Sequence, residues 1–130
     1  MDNEVIRCAV EDHVALVTMD RPPVNAVNAQ FHEEMMRVFD ALSDRDDVRV
    51  AILTGAGKVF CAGADIKARV AHEPAPGDFW QHSRRAREAF HSIVECRVPV
   101  IAAINGPALG AGLGIVASCD LLIASENAVL

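Results

Sequence analysis

Apolar and polar residues alternate over Val5–Val10 and again over Val14–Met19, the two-residue period of strands that bury one face. Glu11-Asp12-His13 lies between them, which predicts a hairpin. Asp20-Arg21-Pro22-Pro23 ends the second strand, because proline has no N–H to give to a ladder. The period then changes. Phe31, Met35, Val38, Phe39 and Leu42 recur at helical spacing, with His32, Glu33, Arg37 and Asp40 around them and Asn28 placed as N-cap. This helix fades into the polar stretch Ser43–Asp47, and Val48–Leu53 follows as a buried strand leading into the loop Thr54–Lys58. A loop or short helix covers Asp65–Ala71, and Glu73–Gly77 is a surface connection. A second amphipathic helix over Asp78–Glu95 turns Phe79, Ala86, Phe90 and Ile93 inward. Pro99 stops it, since a residue before proline is pushed out of helical geometry. Strand Val100–Ile104, a Gly-rich turn, a helix near Ala111–Ser118 and strand Leu121–Ala124 complete the chain. Strands alternating with helices predict an α/β protein, and its 130 residues suit one domain.

The run from Val98 to Cys119 carries no charge and is long enough for a membrane span, with Gly106, Gly110 and Gly114 at helix-dimer spacing. Asn105-Gly106-Pro107 breaks it in the middle, so a buried strand, turn and helix explain it better than a membrane. The chain is 52% hydrophobic but only 5% aromatic, which makes the core one of Ala, Val, Ile and Leu. A net charge of -6 argues against a nucleic-acid partner, because phosphate backbones need a basic face. Cys8, Cys61, Cys96 and Cys119 form no CxxC pair and lie in or beside apolar stretches, the setting of small buried hydrophobes. With no secretory leader at Met1–Ile6, they indicate a reduced, cytoplasmic protein without disulfides or a metal site.

Two loops of small residues each leave a strand: Phe60-Cys61-Ala62-Gly63-Ala64-Asp65, and Asn105–Gly112. Small side chains let a ligand approach backbone N–H groups, and the second loop opens a helix, whose free amides and dipole favour an anion. Two converging amides make an oxyanion hole, each worth about 3–4 kcal/mol toward a developing enolate. The alternative is that these residues only let strand and helix pack closely. Nucleotide motifs are weak here. Thr54-Gly55-Ala56-Gly57-Lys58-Val59 lacks the spacer and the Ser or Thr of a phosphate loop, and Gly110, Gly112 and Gly114 give GxGxG, not GxGxxG. The five histidines, His13, His32, His72, His82 and His91, read as surface or helix-face residues.

Four segments together carry a resemblance. Arg21-Pro22-Pro23-Val24-Asn25-Ala26, then Phe60–Lys67, then Pro99–Gly106 with Ala108–Gly112, then Cys119–Ala124 resemble, in that order, the enoyl-CoA hydratase/isomerase (crotonase) family. The resemblance implies an α/β crotonase-like spiral of repeated strand-strand-helix units. It implies acyl-CoA thioesters as substrates, with coenzyme A entering as part of the substrate rather than as a resident cofactor. By position it assigns the oxyanion amides to Ala62 and Ala111. It also implies that Val24, Ala26, Ala62, Gly63, Ala64, Asp65 and Gly110 line the CoA and acyl site. The same Asp65 is equally placed to cap a short helix. No covalent thiol is implied, so Cys61 is not a nucleophile.

The pattern departs from the family at the acids. Two glutamates position water in family hydratases; the first matches Gly114 here, and the second belongs beyond Leu130. Double-bond isomerisation needs one carboxylate where hydration needs two groups, so the family is indicated more firmly than the reaction. The other class is a non-catalytic acyl-CoA-binding or assembly protein that keeps the loops without the acids. The resemblance thus implies that residues 1–130 form a single core domain lacking its carboxy-terminal part, inactive alone, and that the complete protein is a trimer or hexamer.

Overall fold

The computed structural model describes residues 4–70 and 73–130; Ala71 and His72 lie outside them. Nine elements follow in order: β1 Ile6–Glu11, β2 Val14–Met19, α1 Ala29–Ser43, β3 Val50–Gly55, α2 Ile66–Val70, α3 Asp78–Val94, β4 Val100–Ile104, α4 Ala111–Ser118 and β5 Leu121–Ala124. The strands form one sheet in chain order, with β1 antiparallel to β2 and every later pair parallel. Parallel neighbours require a crossover, and α1, then α2 with α3, then α4 supply the three.

One face of the sheet is buried, and it alternates as its period requires. Ala15, Val17 and Met19 of β2, Ala51 and Leu53 of β3, and Val100, Ala102 and Ile104 of β4 form one core with Phe31, Met35, Phe39 and Leu42 of α1, Ile93 of α3 and Ile115 and Val116 of α4. Burying the Val, Leu, Ile, Phe and Met side chains among these stabilises by about 1.5–3 kcal/mol each. Asn28 caps α1, its side chain accepting from the Phe31 amide at 2.9 Å, as the sequence predicts. The uncharged run divides into β4, a turn and the eight-residue α4, and among the described residues no helix is long and apolar enough to cross a membrane.

Four expectations are corrected. The third strand starts at Val50 rather than Val48, because its ladder opens with Val14 opposite Val50; Val48 is buried ahead of it. Phe79 does not face inward. The first turns of α3 run clear of the core, leaving Phe79 62% and Trp80 70% exposed, edge to face with each other. Cys8 is exposed because it lies on the edge strand β1, where Ile6 alone is fully buried; Cys61 is buried, and all four cysteines are free. Finally, His32 is only 6% exposed, at the contact of α1 with α3, its ring 5.7 Å from that of His82. A buried acid, Glu34, holds the start of the sheet to α1 by accepting from the amides of Val5 at 2.8 Å and Ile6 at 3.1 Å.

His32 makes stability depend on pH. Burial lowers its pKa, and His82 and Arg85 lower it further against the opposing pull of Glu33. The folded state therefore resists a proton that the unfolded state accepts near pH 6.5, and stability is full above about 6.5 and falls below it. Thermal midpoints of the wild type are expected to drop between pH 7 and pH 5, and those of His32→Gln to drop less. Parallel profiles for the two proteins would remove His32 as the cause.

Candidate active site

The loop leaving β3 runs extended between two other segments, and their hydrogen bonds decide which of its amides are available. On one side Cys61 donates to the Pro107 carbonyl at 3.2 Å and accepts from the Leu109 amide at 3.0 Å, a parallel bridge of Cys61 with Ala108. On the other side Ala62 donates to the Val24 carbonyl at 3.0 Å, Val27 donates to Gly63 at 2.8 Å, and Asp65 donates to Val27 at 2.8 Å. The last two bonds make Ala64 the bridge partner of Val27. In a parallel bridge of this form the central residue's own N–H points away from its partner.

The two small-residue loops meet at their glycines. A Cβ on Gly63, whose φ is +101°, would lie 2.8 Å from the Leu109 carbonyl oxygen and 3.5 Å from the Ala111 nitrogen. A Cβ on Gly112 would lie 2.2 Å from the Cys61 carbonyl oxygen. Only glycine permits these approaches. Gly110, at φ +55°, is the N-cap of α4 and supplies no side-chain cap. Ala111 opens that helix, where an amide has no intrahelical acceptor.

At Ala62, to which the resemblance assigns the first oxyanion amide, the donor is already in use. Its amide is engaged by Val24, whereas the amides of Ala64 and Ala111 make no hydrogen bond among the described residues. The sequence shows the small-residue loop, but the partner that occupies Ala62 comes from a turn 38 positions earlier.

Val24, Ala26, Ala62, Ala64 and Asp65 all line one open cleft of about 370 Å³. Arg21, Pro22, Pro23, Ile66 and Lys67 complete its wall. Gly63 and Gly110 stand behind this wall at the junction with α4, and Ala111 lines a separate small void between α1, α3 and α4. Arg21 and Asn25 went unassigned in the sequence. Asn25, 1% exposed and at φ +55°, accepts from the Arg21 amide and donates to the carbonyls of Ala56, Val59 and Phe60, tying the Arg-Pro turn to the loop. A polar residue two positions after the paired prolines was the available signal. Asn105 does the same on the other side, accepting from the Gly55 amide and donating to the Gly57 carbonyl.

Asp65 caps α2, as its position before Ile66-Lys67 predicts, accepting from the Ala68 amide at 3.0 Å. It also pairs with Arg21 at 2.8 Å, and Arg21 donates to the Ala26 carbonyl at 2.9 Å. The Ala68 amide, then the Arg21 guanidinium, hold its carboxyl below the usual carboxylate range. An acid so held is a poor proton carrier at neutral pH. Asp120 accepts from the Val100 amide at 2.8 Å, a structural role at the start of β4. Burial raises the Cys61 thiol, and burial with Asp120 pushes Cys119 up to about 12, so neither offers a thiolate. Among the described residues no group of His, Cys, Asp and Glu could hold a metal ion.

Known proteins resemble the chain in sequence and in fold. Carnitinyl-CoA dehydratase of Proteus mirabilis is 40% identical over 113 residues, covering 86% of this chain and 42% of that protein. A Mycobacterium tuberculosis protein named as a hexahydroindene-carboxyl-CoA hydrolase is 37% identical over 118 residues, covering 91% of this chain and 47% of its own length. The crystal structure of an enoyl-CoA hydratase/carnitine racemase from Magnetospirillum magneticum superposes with a TM-score of 0.90 at 31% identity, over 98% of this chain and 48% of that one. The chain thus spans about half the length of the curated relatives it matches. The sequence profile of the enoyl-CoA hydratase/isomerase family matches residues 9–130, and the chain belongs to that family.

Proposed function

We propose that the protein acts on acyl-CoA thioesters and stabilises a thioester enolate between the backbone amides of Ala64 and Ala111. The observation that supports this is the junction at Gly63, where a Cβ would stand 3.5 Å from the unengaged Ala111 nitrogen and where the next amide, that of Ala64, is also unengaged. A thioester carbonyl seated there accepts both, and the bonds strengthen as its oxygen gains charge on loss of the α-proton. The cleft of Val24, Ala26 and Asp65 then takes the CoA portion, with Arg21 and Lys67 in its wall facing an anionic ligand. Coenzyme A enters as part of the substrate, in a cytoplasmic enzyme assembled as a trimer or hexamer.

The reaction favoured is one that needs a single acid, such as double-bond isomerisation. Gly114 brings no carboxylate, and the Phe90 ring takes up its side-chain space, 3.1 Å from where a Cβ would stand. The relatives' names span dehydration and hydrolysis, which is consistent with a shared enolate site serving different reactions.

The test is titration of the full-length protein with an acyl-CoA, followed by parallel assays of a 3-enoyl-CoA for double-bond shift and a 2-enoyl-CoA for water addition. Saturable binding is expected, with isomerisation ahead by about 10²-fold, the size of one general acid–base contribution. No binding by a folded protein would sink the reading. Fast hydration without isomerisation would show that another acid replaces the missing one. Binding with no turnover of any thioester would instead favour a non-catalytic acyl-CoA-binding or assembly protein. The observation on that side is the absence of an unengaged acid in the cleft wall among the described residues.

A further inference from the structure

We propose that Phe90 limits the length of the acyl chain the protein accepts. The proposal rests on the reading that a thioester carbonyl sits at Ala64 and Ala111. Gly114 lies one turn of α4 beyond Ala111, and the space of its absent side chain is filled by the far end of the Phe90 ring. A Cβ at 114 would meet Cζ at 3.1 Å and Cε1 at 3.2 Å. The ring therefore occupies the side-chain space that Gly114 leaves open.

Phe90 borders two spaces at once. With Ala111, Ile115, Val27, Phe31 and Met35, it lines an apolar void of about 10 Å³, room for one water-sized sphere. Ala111 in that wall carries one of the two proposed amides, and Val27 is the bridge partner of Ala64, which carries the other. Phe90 also lines, with Phe79, Ala86, His82, Ser83, Arg87 and His91, an open surface depression of about 430 Å³ along α3. The ring thus borders both the small void beside Ala111 and the open surface along α3. While it stays, a chain extending from the carbonyl into this space ends after few carbons. Without it, the void gains the volume of the ring and opens toward the surface along α3, where Ala86 and the exposed Phe79 are the apolar neighbours. Each further buried methylene then adds favourable transfer free energy that the wild type excludes.

The experiment compares kcat/KM and Kd across acyl-CoA thioesters from four to twelve carbons for wild type, Phe90→Ala and Phe90→Leu, with thermal melts in parallel. The wild type is expected to favour the short chains. Phe90→Ala should raise the ratio of long-chain to short-chain kcat/KM by at least about tenfold, the worth of two buried methylenes. Phe90→Leu, which keeps most of the apolar packing, should shift the ratio in the same direction by less, and it serves if the alanine variant does not fold. An unchanged ratio in a folded variant that binds thioesters would overturn the role of Phe90 alone. Failure of the folded wild type to bind a thioester of any length would overturn the acyl-CoA reading, and this inference with it.

Discussion

Gly112→Ala is expected to destabilise the protein by about 1–3 kcal/mol, the range for forcing a methyl group into a filled site, and to abolish acyl-CoA binding. The new Cβ would sit 2.2 Å from the Cys61 carbonyl oxygen and 3.0 Å from the Cys61 carbonyl carbon, both rigid backbone. That carbonyl accepts from the Leu109 amide at 3.0 Å, one of the bonds that lock the two loops together. Relief of the clash must move either α4 or the loop, and both movements separate Ala111 from Ala64. Gly57→Ala is the control: it sits at φ +79° but has nothing within 4 Å of its added methyl group. It therefore suffers only the backbone penalty of about 1–2 kcal/mol and should keep its binding. Denaturant unfolding and thioester titration of the pair separate the two effects. A wild-type midpoint and affinity in Gly112→Ala would show that the loops do not depend on this approach.

How far the chain's pattern reaches is clear from individual residues. The hairpin, the Asn28 cap, the α1 stripe and the stop at Pro99 follow from neighbours a few positions apart, and periodicity captures such relations. The start of β3 does not, because its ladder is set by β2, some 36 residues away at Val14 opposite Val50. Phe79 has the right spacing for an inward residue, yet nothing on its own helix says where the core beneath it ends. The β5 residues Leu121, Leu122 and Ile123 make an apolar strand by composition, and all three are more than half exposed. Glu34 falls on the inward side of α1, an acid beside Phe31 and Met35, which is the kind of misfit that marks a buried partner. At the site, composition reveals which loops let a ligand approach. It does not reveal which amides face one, because Val24 and Val27 reach the loop from elsewhere in the chain.

That distinction can be tested by two prolines placed two residues apart. Proline replaces the amide hydrogen with its ring Cδ, so it removes one donor and fills the donor's place. At Ala64 the donor is not used by the bridge to Val27, whose two bonds run through the Gly63 carbonyl and the Asp65 amide. Ala64→Pro should therefore lower kcat on thioester substrates by about 10²–10³-fold, the effect of losing one oxyanion donor, with a modest change in thermal midpoint. At Ala62 the donor is the bond to Val24 at 3.0 Å, which holds the Arg-Pro turn against the loop. Ala62→Pro should first lose stability, by about 1–3 kcal/mol for an unsatisfied carbonyl, and thioester affinity should fall as the cleft wall at Val24 moves. The split between kcat and Kd is decisive, because a general loosening would move both quantities together in both variants. If Ala64→Pro retains full turnover while Ala62→Pro loses it without loss of stability, the oxyanion amide belongs to Ala62 and its bond to Val24 must open when substrate binds.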